Sequence, residues 1–239
     1  MDHSSETAPT YNLLDWFLVP RLRNGTDLAT IRRIAEELRD RPALLRGALS
    51  VLLGNDAALE AVATRSSPHA NGFAKVILSR GDGWTLRLHV WSPSVKSVGG
   101  NLDPHGHRWA FASWIITGTL REITFVEDRR GQVFLRCDYH HDAGQPWNLH
   151  GNGRTTLVAD KQVDRRAGTV YGRTGAEVHT AVPRSDLVAT LVLQGPHRTD
   201  TTEVFLAPDN LGQLDEHEDE TLAVDDLRQL VADVLAKLP

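Results

Sequence analysis

Cysteine occurs once in the 239 residues, at Cys137, so the chain closes no internal disulfide and offers no C-x-x-C pair for metal or redox work. A single thiol suits a reducing cytoplasm, and its expected place is a buried, inert one. No apolar run approaches the roughly 20 residues that span a bilayer. The polar opening MDHSSETAPT lacks the basic start and apolar stretch of a signal peptide, so residues 1–10 read as a disordered leader. Charge of one sign is also missing. Lys and Arg number 26 against 31 Asp and Glu, a net of −5 without a basic cluster, which excludes a broad nucleic-acid footprint. The G-x-S-x-G elbow, the phosphate-binding glycine loop and H-E-x-x-H are absent, which leaves Ser113 no case as a nucleophile. What remains is a cytoplasmic protein with a small-molecule partner, bound neither to nucleic acid nor to membrane.

With 41% hydrophobic and 24% charged residues, the chain has the composition of an ordinary globular protein. Its texture changes along its length. Residues 11–66 are helical in pattern: Ile31, Ile34, Ala35 and Leu38 share one side of a helix that Thr26 or Asp27 can cap, Pro42 can open the next helix and Gly54 can end it. Residues 67–208 carry short segments rich in β-branched and aromatic residues, among them FAKVILS, WTLRLHVW, WAFASWII, TLREITFV, GQVFLRCDY, TTLVAD, GTVYGR and LVATLVLQ, parted by Gly, Asp, Asn or Pro. Such a series predicts a sandwich or barrel. Residues 209–239 form an acidic linker, Asp215 to Glu220, and a closing amphipathic helix from Leu222 to Leu238.

Histidine carries the chemistry. His105 and His107, two apart on an extended segment, project the same way and can grip one ion, and His179 lies in a later strand-like segment. Three imidazoles suit Fe, Zn, Ni or Cu and leave coordination positions open, which marks a catalytic site more than a closed structural one. Glu122 can face that ion or hold a histidine from behind, or else be an exposed strand glutamate. Glu177 shares a face with His179 if the segment is regular. The strand WTLRLHVW alternates sharply, with Leu86, Leu88 and Val90 on one face and Arg87, His89 and Trp91 on the other. The polar face either meets water or lines a ligand-holding barrel. In the second case Arg87 anchors an anion, His89 acts as acid/base or orienting group, Trp91 forms a wall, and Trp109, on the face of His107, borders the cavity. His3, His69 and His217 read as surface residues, and His140 and His141 point apart.

The spacing Gly99, five residues, His105-x-His107, three residues, Phe111, six residues, Gly118 resembles the first cupin motif, with Phe111 at that motif's carboxylate position. Gly168 and His179 stand at the spacing of the second, where Thr174, Ala176 and Pro183 replace the expected Pro, Gly and Asn. An all-histidine cupin site resembles cysteine dioxygenase and its thiol-dioxygenase relatives. WTLRLHVWSPSV, IITGTLREITF and EVHTAV with VATLVLQGP sit where that family has similar segments. The resemblance implies a mainly β, cupin-type barrel or jelly roll, preceded by helices and followed by one. It also implies Fe(II) on His105, His107 and His179, and a possible homodimer. It implies less about substrate. The family's carboxylate-binding arginine falls on Lys75, its late-strand His and Tyr fall near Val192 and Gln194, and its cross-linking cysteine falls near Phe111 or Ala112, so cysteine itself is a doubtful substrate.

Three functions follow as expectations. The first is a non-haem Fe(II) dioxygenase-like oxidoreductase of a small anionic metabolite, using dioxygen. The second is a redox-neutral isomerase, epimerase or lyase with Zn, Ni or Mn. The third is a ligand-binding cupin without catalysis.

Overall fold

The structure is a computed structural model that describes residues 12–23, 25–93, 102–140, 148–208 and 220–239. The expected leader, most of the acidic linker, Gly99, His3, His141 and His217 lie outside the described residues. Four helices come first: α1 (Asn12–Leu22), α2 (Leu28–Arg39), α3 (Pro42–Leu53) and α4 (Asp56–Ala63). Asp27 caps α2 by accepting from the Ala29 and Thr30 amides, Pro42 opens α3 where no amide is needed, and Asn55 caps α4 through the Ala58 amide. The last helix, α5 (Val224–Lys237), turns Leu227, Leu230, Val231 and Val234 inward.

Ten strands lie between: β1 (Ser67–His69), β2 (Phe73–Gly81), β3 (Trp84–Trp91), β4 (Trp109–Thr117), β5 (Thr119–His140), β6 (Asn148–Arg166), β7 (Val170–Arg173), β8 (His179–Pro183), β9 (Val188–His197) and β10 (Thr202–Leu206). They form two antiparallel sheets, one ordered β1-β2-β3-β9-β4-β7 and one ordered β10-β5-β6, with β8 also on β5. The chain crosses between sheets after β4, β6, β7, β8 and β9, the connectivity of a jelly-roll-type barrel.

Period-two alternation sorts the six-stranded sheet into two faces. Val76, Leu78, Leu86, Leu88, Val90, Ala112, Trp114, Leu191 and Leu193 form one core with Ile31, Leu38, Leu45, Leu49 and Val231 of the helices. At about 1.5–3 kcal/mol per fully buried aliphatic or aromatic side chain, this helix-to-sheet layer dominates the stability. Phe73, Trp91, Phe111, Ile115, Tyr171, Val188 and Val192 face the other way and meet Leu120 and Ala181 of the second sheet. The face of β3 that carries Arg87, His89 and Trp91 therefore lines the barrel.

Two sequence expectations change. TLREITFV and GQVFLRCDY are one strand, β5, because both Glu127 and Gln132 pair with Leu157 and the residues between them form a bulge without ending the ladder. His69, expected at the surface, is half-buried and stacks on Phe73 at 4.3 Å between ring centroids. Cys137 is buried, and burial raises its thiol above the usual range.

Candidate metal centre

Residues 105–107 precede β4 and belong to no regular strand. His105 instead forms isolated bridges to His179 and Val204. The His105 and His179 amides each donate to the other's carbonyl at 2.9 Å, while the Gly106 and His107 amides donate to Glu203 and Gly175 carbonyls. The extended backbone keeps His105 and His107 on one side, and the bridge lays His179 against them. Gly175 permits this approach, since a Cβ there would stand 2.3 Å from the His107 carbonyl oxygen.

The three imidazoles converge. Their ring centroids are 5.0–5.1 Å apart pairwise, and one ligand nitrogen from each lies within 4.8 Å of the others. His107 Nε2 and His179 Nε2 are 2.9 Å apart. Two nitrogens bound at about 2.1 Å and at right angles around one ion stand about 3 Å apart, so this pair fits shared coordination. The outer nitrogens are engaged. His105 Nδ1–H donates to the Asp103 carbonyl at 2.9 Å and His179 Nδ1–H to Glu122 Oε1 at 3.2 Å, which turns the Nε2 lone pair of each ring inward.

Glu122 is 1% exposed, which corrects the exposed-glutamate reading. Its strand position, opposite Ala181 of β8 and Val163 of β6, places it on the inner face of β5. It accepts from Arg165 at 2.6 Å and Arg173 at 2.7 Å as well as from His179. Burial alone raises its pKa, but the bonds from His179 and Arg173 and the charge of Arg165 prevail and hold it well below the usual carboxylate range. An anionic carboxylate thus stands one imidazole away from the ion position. The two arginines were not foreseen. Arg165 sits in the charged run DKQVDRR, which reads as solvated, and Arg173 ends GTVYGR, where period two puts it on the face of Tyr171. Glu177 is exposed and pairs with Arg173 ahead of β8, so it does not share the face of His179.

Burial, followed by the neighbouring His179, lowers His105 to about 4, partly offset by the Asp103 carbonyl. Burial, then His105 and His179, also holds His107 well below its usual value. Neutral imidazoles are the ligand form. Phe111, in the cupin carboxylate position, packs edge-on at 5.1 Å from His107 and supplies no donor.

The remaining candidates line the barrel around this cluster. Trp109 bridges two of them, its ring 5.6 Å from the His107 ring and 5.0 Å from the Arg87 guanidinium. Lys75 lies across from His89 in the β2–β3 register, and Phe73 stacks between His89 (4.4 Å) and Trp91 (4.8 Å). Burial, then the charge of Arg80, lowers Arg87 to about 10, and burial keeps His89 well below its usual value. A groove of about 300 Å³ runs from residues 106–108 past 174–178 to 198–203 and is lined in part by His107.

No family model matches the chain, and no curated protein does. Several solved structures are similar at low identity. A cupin superfamily protein from Desulfitobacterium hafniense DCB-2 shares 9% identity over 56% of this chain and 87% of its own, with a TM-score of 0.30. Hydroquinone 1,2-dioxygenase from Sphingomonas sp. TTNP3 shares 10% over 69% and 81% (TM-score 0.33), and an HTH_3 family transcriptional regulator from Vibrio cholerae shares 8% over 78% and 94% (TM-score 0.33). At these values the likenesses assign neither family nor activity. Among the described residues, no helix is long and apolar enough to cross a membrane.

Proposed function

We propose that the chain is a mononuclear, metal-dependent oxygenase of cupin type that acts on a small anionic metabolite, with Fe(II) held by His105, His107 and His179. The observation that carries this reading is the convergence of three imidazoles, two with their outer N–H fixed, on the wall of a barrel lined by Arg87, His89, Trp91 and Trp109. Fe(II), when bound, supplies reductive activation of dioxygen. The chain's own residues do the rest. Arg87 draws the substrate anion inward, Trp109 and Phe111 confine it and exclude water, and Glu122 keeps His179 in its ligating tautomer. Lys75, a point charge where the thiol dioxygenases have a forked guanidinium, disfavours cysteine as substrate.

A redox-neutral reaction with Zn, Ni or Mn is favoured by one feature, the unpartnered Nε2 of a neutral His89 on the inner wall, which suits a proton-transfer base. Elemental analysis of protein made without added metal, with oxygen uptake across a panel of small carboxylates, tests the choice. The oxygenase reading expects near-stoichiometric iron that falls below a tenth in His105→Ala and His179→Ala, together with substrate-dependent oxygen consumption. Stoichiometric zinc with no uptake on any acid would overturn it.

A further inference from the structure

Besides Trp91 Nε1 and Ser113 Oγ, four buried polar atoms of the inner wall beside the three imidazoles have no hydrogen-bond partner among the described residues: Arg87 Nε, His89 Nε2 and Gln194 Oε1 on the six-stranded sheet, and Thr124 Oγ1 on β5. Native interiors leave few such atoms, and each orphan costs free energy unless a ligand fills its valence. The four are not scattered. Arg87 pairs with Val192 and Gln194 with Thr85 on adjacent strands, so Arg87 and Gln194 are diagonal neighbours on one face. Phe111 is the cross-strand partner of Gln194 on the other side, Trp109 lies under the Arg87 guanidinium, and Thr124 pairs with His179.

The chemistry of these orphans is selective. Arg87 is a cation with no acid partner among the described residues, and the charges that depress its pKa besides burial come from Arg80 and Arg108. Lys75 stands on the same wall. The carboxylate nearest the imidazoles, Glu122, is occupied by two arginines and His179. An ammonium group therefore meets a positive field with no free acid among the described residues to receive it, whereas a carboxylate meets Arg87. Gln194 Oε1 is an acceptor and asks for a donor, which a hydroxyl supplies without positive charge. Between these points the wall is apolar, made of Trp109 and Phe111 with Val192.

We infer that the barrel binds a hydroxy-substituted aryl carboxylate, its carboxylate on Arg87, its hydroxyl on Gln194 and its ring along Trp109 and Phe111, and that it rejects amino acids. This rests on the proposed function only in taking the barrel interior as the substrate site; it names the substrate class and makes Gln194 a specificity determinant.

Binding to metal-free and to Zn(II)-loaded protein, followed by calorimetry and tryptophan fluorescence, separates this inference from the oxygenase reaction. The probes are 3-hydroxybenzoate, benzoate, phenol and L-tyrosine. 3-Hydroxybenzoate is expected to bind tightest, with benzoate and phenol each at least 10-fold weaker and L-tyrosine weaker still. Arg87→Met loses at least 10-fold for both benzoates and keeps phenol within twofold. Gln194→Leu erases the preference for 3-hydroxybenzoate over benzoate. Because Arg87 is a half-buried cation with no acid partner among the described residues, Arg87→Met is also expected to melt at or above the wild-type temperature. If that variant fails to fold, Arg87→Lys, which keeps charge and loses the fork, is expected to bind both benzoates at intermediate strength. L-Tyrosine binding as tightly as 3-hydroxybenzoate, unchanged benzoate affinity in the Arg87 variants, or no binding of any aryl acid to either protein form would overturn the inference. Tight binding without oxygen uptake sinks the oxygenase reading and leaves the substrate class standing.

Discussion

Glu122→Gln probes the link between the fold and the three imidazoles. The substitution keeps size and an acceptor for His179 Nδ1–H, but it removes the charge shared by Arg165 and Arg173, whose side chains are only 18% and 13% exposed, and leaves Arg173 with the exposed Glu177 alone. Removing one partner of a fully buried ion pair costs about 3–5 kcal/mol. Residual exposure of the arginines and the retained amide acceptor reduce this to roughly 2–3 kcal/mol. For a chain of this length each kcal/mol moves the melting temperature by about 2–4 °C, so a fall of roughly 4–12 °C is expected in the metal-free protein. A second effect is separate. A neutral acceptor behind His179 weakens the ring as a donor, and loss of such outer partners costs about 10–100-fold in metal affinity. Melting by circular dichroism and chelator competition for Fe(II) or Zn(II) read the two effects independently. Arg173→Met gives the contrast, since it leaves Glu122 on His179 and is expected to lose stability while keeping affinity within about threefold. A Glu122→Gln protein that melts low yet binds metal as well as wild type would refute the orienting role, and one unchanged in both would refute the buried network itself.

Further outcomes follow from the same geometry. In metal-free protein His105 titrates near 4 when folded and near 6.5 when unfolded. The unfolded chain therefore holds more protons between these values, and stability falls as pH drops from 6.5, by an amount on the order of 2 kcal/mol at pH 5 from this residue alone. Urea melts at pH 7, 6, 5 and 4 check this, and a flat profile from 7 to 5 would contradict it. Gly175→Ala places a methyl 2.3 Å from the His107 carbonyl oxygen, so it is expected to lower metal affinity at least 10-fold, measured by chelator competition. Gly118→Ala meets both a φ of +78° and the Leu187 carbonyl at 2.4 Å, and a loss of about 2–4 kcal/mol in denaturant melts is expected.

Periodicity and punctuation made much of the fold legible. Asp27, Pro42 and Gly54 bound helices because cap and breaker chemistry is local, and the alternation of WTLRLHVW is explained by one face packing on helices and the other on the second sheet. The metal cluster was legible for another reason. His105 and His107 are neighbours along the chain, so an extended backbone alone aligns them, and the resemblance of Gly168 and His179 to the second cupin motif supplied the third ring. What stayed hidden is long-range. Glu122 looked exposed because a lone acidic residue in TLREITF reads as the wet face of a half-buried strand, and only the pairing of β5 with β8 turns it onto His179. Arg165 and Arg173 went unnoticed for the same reason, since their partner lies 43 and 51 residues away. A buried charge in a barrel is cheap only when opposite charges arrive from other strands, and register, which single-strand patterns do not encode, decides whether they do. Arg87 is the complementary case. Its strand pattern allowed it to face inward, and there no acid from another described strand meets it. Of Glu122 and Arg87, the first is met by arginines from two other strands and holds an imidazole, and the second meets no acid from a described strand, so register is what separates the two inward charges.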